Sequence, residues 1–485
     1  MSPAKSVLMF LMIAAAAPLL LVAFTHGASH GGENSEIEIR LLFAGDILLS
    51  RGVERELIHN PKALSRALHP ALLGADWTIG NLEGAVGSPD GCPESAGQKP
   101  CFPIRAEFIP LLHQAGFKAI GLANNHSSDL GQTGIEATRR LLAQNDISAL
   151  TYEESPHFLR IADLTIGFVS LSMIPGRDER AVDVPSIGLR QKLRLAKSLS
   201  NLVVAYIHWG SEFLDWPEKK QRRAADWLIN NGADIIVGHH PHLVQKPECL
   251  HGKPVFYSLG NLVFDQKYPS TREGLLADCR IREGTVSCTG LQTRTLEGST
   301  LPVIGRADGD AEKVQSGCVL RLSPSLMVSG IMLRPENSSK GRNPPGLSLE
   351  AVGEEKLIWK TRHANIVSLE SMKVGGPQPS EYLLTLERHF STMDGEEGLR
   401  PCVYEARPEG LVPKWRGTAL AWPLLDAAFL PGAGGILCAE HRGDSFIAPQ
   451  TGSKETRIAA YSWKGFGFSG ISDPQVIDRC REYLE

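Results

Sequence analysis

Long runs of lysine and arginine are absent from this chain of 485 residues, and its formal net charge is only −4. Without a basic stripe there is no electrostatic footprint for nucleic acid, so that class of partner is excluded. Charged side chains make up 21% of the sequence against 42% hydrophobic, which excludes a disordered protein. A chain of this length and apolar content exceeds one ordinary domain, and two are expected. Cysteine is sparse, at nine, and the odd number leaves one unpaired. Cys92 with Cys101, and Cys279 with Cys288 across a hairpin at Glu283-Gly284, are the candidate disulfides; buried free thiols are the alternative for each pair.

The N-terminus carries one lysine and then an almost wholly apolar stretch, Val7 to Phe24, followed by small and polar residues. This reads as an export signal. A good small-x-small cleavage pattern is lacking around Gly27-Ala28, and Pro18 interrupts a run near the lower limit for a membrane span. Residues 1–30 are therefore a signal peptide or a membrane anchor through residues 7–24, and the rest faces a periplasmic or extracellular space.

Short apolar runs then alternate with amphipathic stretches. Strands are expected at Ile37–Ala44, Trp77–Gly80, Ala119–Ala123, Thr165–Ser170, Leu202–Ile207, Asp234–Val237 and Val255–Leu259. Helices are expected at Glu107–Gln114, Thr133–Gln144 and Lys219–Asn230. This alternation implies an α/β domain with covered sheets. At their carboxyl ends the strands, with one exception, deliver polar clusters: Asp46 and Arg51; Asn81 and Glu83; Asn124, Asn125, His126 and Asp129; His208 and Glu212; His239, His240 and His242; Asn261 and Asp265. The carboxyl edge is where α/β sheets bind ligands. Any one of these residues reads more simply as a turn, a cap or a solvated charge. Six strands delivering Asp, Asn, Glu and His to one edge form an inventory of oxygen and imidazole metal ligands. Extended backbone before Pro241 would point His240 and His242 to one side. His239 is then the spare histidine, turned toward sheet packing or an orienting carboxylate.

The ordered series "GDILLSR", "NLEG", "ANNHSSDLGQTG", "HWGSE", "GHHPHLVQ" and "YSLGNLVFDQ" resembles the CapA family of poly-γ-glutamate capsule-biosynthesis proteins, within the calcineurin-like metallophosphoesterase superfamily. The resemblance covers roughly residues 37 to 290. It implies a four-layer α/β/β/α sandwich, with Asp46, Asn81 or Glu83, Asn125, His208, His240 and His242 as metal ligands. It also implies His126 as the acid that protonates a leaving oxygen. Arg51, Glu212, Asn261 and Asp265 are left to shape a substrate pocket. The implied cofactor is one or two divalent ions, Mn, Zn, Fe or Mg, able to activate water and stabilise charge on a phosphoryl or acyl oxygen. Two positions depart from the superfamily pattern. Its D-x-H becomes Asp46-Ile47-Leu48, and its bridging Asp becomes Asn81 unless Glu83 reaches in. A single ion, or a site used for binding without hydrolysis, follows as an alternative.

The texture changes beyond about residue 300. "SSKGRNPPG" (338–346) reads as a linker, followed by short aromatic-rich runs that imply an all-β module. Trp415-Arg416-Gly417 and Trp463-Lys464-Gly465 lie 48 residues apart, close to a propeller-blade period, although a small β-sandwich accounts for them as well. The expected organisation is a signal or anchor at 1–30, a metallophosphoesterase-like domain at 37–337, a linker at 338–352 and a smaller all-β domain at 353–485. The expected function is exported, CapA-like work in capsule or poly-γ-glutamate biosynthesis or processing. Its partners are an anionic polymer or phosphoester substrate and envelope biosynthesis proteins. A non-catalytic envelope protein that binds or helps export the polymer is the alternative.

Overall fold

The computed structural model describes residues 38–484 apart from 94–98, 153–154, 305–312, 337–346, 354–355, 375–379, 392–395, 418–419, 421–422 and 444–454. The expected signal or anchor and the "SSKGRNPPG" stretch lie outside the described residues. Among the described residues no helix is long and apolar enough to cross a membrane.

Two sheets build the first part of the chain. In one, the parallel strands Ser148–Leu150, Ala119–Gly121, Trp77–Leu82 and Ile39–Ile47 lie side by side. Antiparallel strands Glu273–Arg282 and Thr285–Thr295 continue that sheet, which has nine strands in all. In the other, Leu164–Ser172, Leu202–His208, Ile235–His239 and Lys253–Phe256 are parallel neighbours within six strands. The sequence alternates with the strand period of two. Leu41 and Phe43 enter one apolar cluster with Phe168, Val204, Tyr206 and Val237 of the second sheet. Leu42 and Ala44 face the other way, into a cluster with Val53, Leu57, Leu64, Leu68 and Leu112 of the helices Arg51–His59, Ala63–Leu72 and Ile109–Ala115. Val203, Ala205 and Ile207 pack on Leu193 and Ala196 of helix Ile187–Leu199 and on Ala225 and Leu228 of helix Lys219–Asn230. Strands apolar on both faces are what covered parallel sheets require. Each such buried aliphatic or phenyl side chain contributes about 1.5–3 kcal/mol of transfer free energy.

Strand positions follow the expectation closely. Helix Lys219–Asn230 has the expected bounds, opened by Gln221, whose side chain accepts from the Glu218 backbone N–H at 2.9 Å. Helices Ala63–Leu72 and Ile187–Leu199 were not anticipated, each for a local reason. Ala63–Leu72 holds Pro70, a residue read as a helix breaker, and Ile187–Leu199 buries Arg190 and Gln191, which blurs its apolar stripe.

After residue 325 the chain forms three successive four-stranded antiparallel meanders, starting at Leu326, Ile366 and Leu424, and ends in helix Pro474–Leu484. Ile331–Pro335 and Leu349–Gly353, the second of which overlaps the end of the linker expected at 338–352, pair as neighbours in the first meander. Trp415 lies one residue from the end of the last strand of the second meander, whereas Trp463 ends the third strand of the third. The two are therefore not equivalent members of a repeat; both pack on Phe468, at 5.2 and 5.1 Å.

Cys92–Cys101 and Cys279–Cys288 are bonded as expected. Cys249–Cys318 staples the edge of the second sheet to an outer strand of the first, and Cys438–Cys480 ties the final helix to its meander. Cys402 is the free thiol.

Helix Ile187–Leu199 also joins the two parts of the chain. Its Leu195 and Leu199 enter the core of the first two meanders, while Gln191 donates to the fully buried Asp426 carboxylate at 3.0 Å. Arg194 pairs with the same carboxylate, and Arg190 approaches it at 3.6 Å. Removing Asp426 takes the ion-pair partner from the poorly solvated Arg194 and leaves Arg190 only Glu440, at 3.9 Å. Asp426→Ala is expected to lose about 3–5 kcal/mol of stability in urea unfolding. Asp478→Ala, which breaks an exposed pair with Arg481, should change little. Equal effects would show that the joint carries no special weight.

Candidate metal centre

Strand Ile39–Ile47 ends beside both Trp77–Leu82 and the short strand Asn261–Val263, with Asp46 in register with Asn81 and Asn261. Two glycines permit the close approach. A Cβ on Gly45 would lie 2.1 Å from the Gly260 carbonyl oxygen, and one on Gly238 would lie 2.1 Å from that of Tyr257. The Asp46 carboxylate is fully buried here. Its Oδ1 accepts from Asn81 Nδ2 at 2.9 Å and faces His239 Nδ1 at 3.0 Å; its Oδ2 faces His242 Nδ1 at 3.3 Å and the His240 backbone N–H at 3.4 Å.

The histidine loop reaches this point by a different route from the one expected. The strand stops at His239, and His240 and His242 have φ of +97° and +58°, a region bulky residues avoid. A tight turn, not extended alternation, brings the two rings together, with centroids 6.1 Å apart. His239 does turn away, onto the Tyr206 ring at 4.6 Å, while its Nδ1 steadies Asp46.

Two groups of ligand atoms result. Asp46, Glu83 and His208, all buried, offer atoms within 4.8 Å of one another, and so do Glu212, His240 and His242. Of the two residues expected at the bridging position, Asn81 is already engaged, donating to Asp46 and accepting from Asn124 Nδ2 at 3.0 Å. Glu83 Oε2 has no hydrogen-bond partner, and the same is true of His208 Nδ1, His239 Nε2 and His240 Nδ1. Each such buried orphan costs about 1–3 kcal/mol unless something satisfies it. Glu83, His208 and His240 belong to the two groups above, and a carboxylate oxygen and imidazole nitrogens left unpaired there fit a divalent cation. Asn125 Oδ1 lies 2.8 Å from His208 Nε2.

His126 stands apart from these groups. Its Nδ1 is 3.0 Å from Asp129 Oδ2, its ring lies 4.2 Å from that of Phe102, and Asp129 is held by Arg177 at 3.3 Å and by the Phe102 N–H at 2.8 Å. An imidazole oriented by a buried carboxylate has the form of a positioned proton donor. Sequence reasoning gave Arg177 no role and had no signal for it. Asp129, three residues after His126 in one turn, was visible.

The residues left for a pocket divide. Arg51 pairs with Asp265 and lies over Phe102 and Phe264 at 4.8 and 5.7 Å, at an open rim. Glu212 is exposed beside His240 and His242. Asn261 is turned inward and faces His242 Nδ1 at 2.9 Å. Leu48, where the superfamily has histidine, packs with Phe102 and Phe264.

Residues 40–266 match the family described as bacterial capsule synthesis protein PGA_cap. A capsule biosynthesis protein CapA of Bacillus anthracis is 29% identical over 298 residues, covering 57% of this chain and 72% of the relative. A PGA biosynthesis protein CapA of Bacillus subtilis is 28% identical over 262 residues, covering 50% and 67%. Over these residues the chain is similar to the CapA family. A probable polyglutamine synthesis accessory protein of Mycobacterium tuberculosis is 25% identical over 365 residues, covering 62% of this chain and 94% of the relative. Among solved structures, a hypothetical protein from Thermus thermophilus aligns over 59% of the chain and 100% of its own length, at 16% identity and a TM-score of 0.34.

Burial sets the protonation of the site. It pushes the His208 imidazole well below its usual range and that of His240 down to about 3, with neighbouring imidazoles adding to the effect, so both rings are neutral at neutral pH. Burial opposes the charge on Asp46, but hydrogen bonds from His239 and His242 hold its carboxyl well below the ordinary value. Glu83 is raised by burial to about 8; His242, against burial, is raised to about 9 by Glu83 and Asp46. Both raised groups hold protons in the fold that the unfolded chain releases above its values of 4.5 and 6.5. Their stabilisation is complete below those unfolded values and is lost as pH rises through the folded ones. The chelator-treated protein should therefore melt at lower temperature as pH goes from 6.5 to 9, and Glu83→Gln should flatten that slope. Parallel slopes for the two proteins would contradict this assignment.

Proposed function

We propose that this is an exported CapA-family protein of capsule or poly-γ-glutamate biosynthesis or processing, built on a divalent-metal site of the phosphoesterase type. The observation that carries the reading is the convergence of Asp46, Glu83, His208, His240 and His242 from two sheets, with buried ligand atoms left unpaired. Apolar packing on both faces of each sheet supports the four-layer α/β/β/α arrangement of that superfamily. The names of the Bacillus relatives support an anionic capsule polymer or its precursor as substrate.

Asp46, Glu83 and His208 would hold one ion, and His240 and His242, with Glu212 at the mouth, a second or a shared one. When bound, such an ion supplies Lewis acidity toward a phosphoryl or acyl oxygen. The chain's own residues do the rest. Asn124 and Asn81 fix the Asp46 carboxylate, His239 steadies it from below, and the Asp129–Arg177 pair aims His126, which would give its proton to the leaving oxygen. Arg51, with its guanidinium over two phenyl rings at the rim, is placed to meet an anionic group as it enters.

A second reading has its own support. Leu48 fills with hydrocarbon the place of a superfamily ligand, and Asn81 commits its amide to Asp46. A site so altered suits binding of a carboxylate-rich polymer without hydrolysis. Purified protein, with and without Mn²⁺, offered an aryl phosphate and then a γ-glutamyl oligomer, separates the readings: hydrolysis of either establishes the enzyme, and Mn²⁺-dependent binding alone establishes the second.

His126→Ala is expected to keep metal near the wild-type level while turnover falls roughly 10²–10⁴-fold, and His240→Ala to lose metal as well. Metal analysis alongside the rates checks this. Equal metal loss in both variants would make His126 a ligand.

A further inference from the structure

The second C-terminal meander carries another set of ligand-type side chains, on strands that contribute nothing to the Asp46 site. Strands Ser380–Ser391 and Glu396–Arg407 pair antiparallel, with Thr385 opposite Cys402 and Glu387 opposite Arg400. Strand alternation puts Thr385, Glu387, His389, Arg400 and Cys402 on one face. One ligand atom each from Glu387, His389 and Cys402 lies within 4.8 Å of the others.

Each of the three is prepared in its own way. Glu387 Oε1 accepts the hydroxyls of Thr385 at 2.6 Å and Tyr404 at 3.0 Å, which fixes the plane of the carboxylate. His389 Nδ1 lies 3.1 Å from the Phe390 carbonyl oxygen, so the proton of the neutral ring sits on Nδ1 and the Nε2 lone pair is left for a ligand. Orienting bonds of this kind, on carboxylate and imidazole alike, are what accompany metal ligation. Cys402 is the single cysteine outside the four disulfides, and it is buried at the foot of the cluster. Arg400, opposite Glu387 in the strand pairing, would balance the carboxylate charge by itself. It does not account for a thiol and an oriented imidazole at the same point.

We propose that Glu387, His389 and Cys402 form a second cation site, selective for a thiophilic divalent ion of the zinc class. One sulfur, one nitrogen and one oxygen ligand suit tetrahedral zinc, with a fourth position open toward solvent on the side of the exposed His389. Binding takes the thiol proton of Cys402 to solvent as the metal–sulfur bond forms, with no change of oxidation state. The inference is independent of the phosphoesterase-like reading, because the Asp46 site contains no cysteine.

That difference in ligands supplies the test. The full chain, with its disulfides oxidised and its metal removed by chelator, is titrated with Co²⁺ and the near-ultraviolet thiolate-to-cobalt charge-transfer band is followed. Oxygen and imidazole ligands at Asp46 give no such band. The band should saturate at one equivalent of this site, disappear on addition of Zn²⁺, and survive His240→Gln. It should be absent in Cys402→Ser. His389→Gln, an exposed change that spares the core, should weaken Co²⁺ binding about tenfold or more. No band in the folded wild-type chain, a band that persists in Cys402→Ser, or unchanged affinity in His389→Gln would each overturn the proposal.

Discussion

One buried carboxylate organises the first part of this protein. Asp46 sits with no access to solvent, and isolated burial of such a charge is prohibitive unless donors meet it from all sides. Those donors come from both sheets: Asn81 from the strand beside it, and His239, the His240 N–H and His242 from the carboxyl end of the second sheet. The register of each sheet, the glycines at Gly45 and Gly238, and the positive φ of His240 and His242 all serve to bring these groups to one point. A shift of one residue in either strand would turn Asp46 into the apolar layer.

This explains what could be read from the sequence and what could not. Apolar runs capped by Asp, Asn, Glu or His identified the strands and their functional edge, because a polar residue following a fully apolar strand has few places to go. Asp46, Glu83, His208, His240 and His242 were legible on that ground. The loop geometry was not: the bias before Pro241 favours extended backbone, and only tertiary donors around Asp46 outweigh it. Arg177 and Asp426 were equally hidden, since each finds its partner far along the chain. Cys249–Cys318 spans 69 residues and joins different sheets, whereas the two pairs that were anticipated span nine each. Spacing reports local closure and says little about distant contacts.

The C-terminal meanders were legible as β-structure from aromatic runs between glycine turns, but their division into three was not, because Trp415 and Trp463 mark different strand positions. Helix Ile187–Leu199 ties these meanders to the second sheet through Asp426 and through Leu195 and Leu199. At the site itself Leu48 and Asn81 are satisfied by packing and hydrogen bonds, while Glu83, His208 and His240 each keep one buried polar atom unpaired.

The central claim is that these unpaired atoms hold a cation. A crystal of the protein grown with Zn²⁺ and measured on both sides of the zinc absorption edge addresses it directly. The account predicts an anomalous peak at about 2.0–2.2 Å from ligand atoms of Asp46, Glu83, His208, His240 or His242. An ordered, well-resolved site at these residues with no anomalous peak within reach of Asp46 would contradict it.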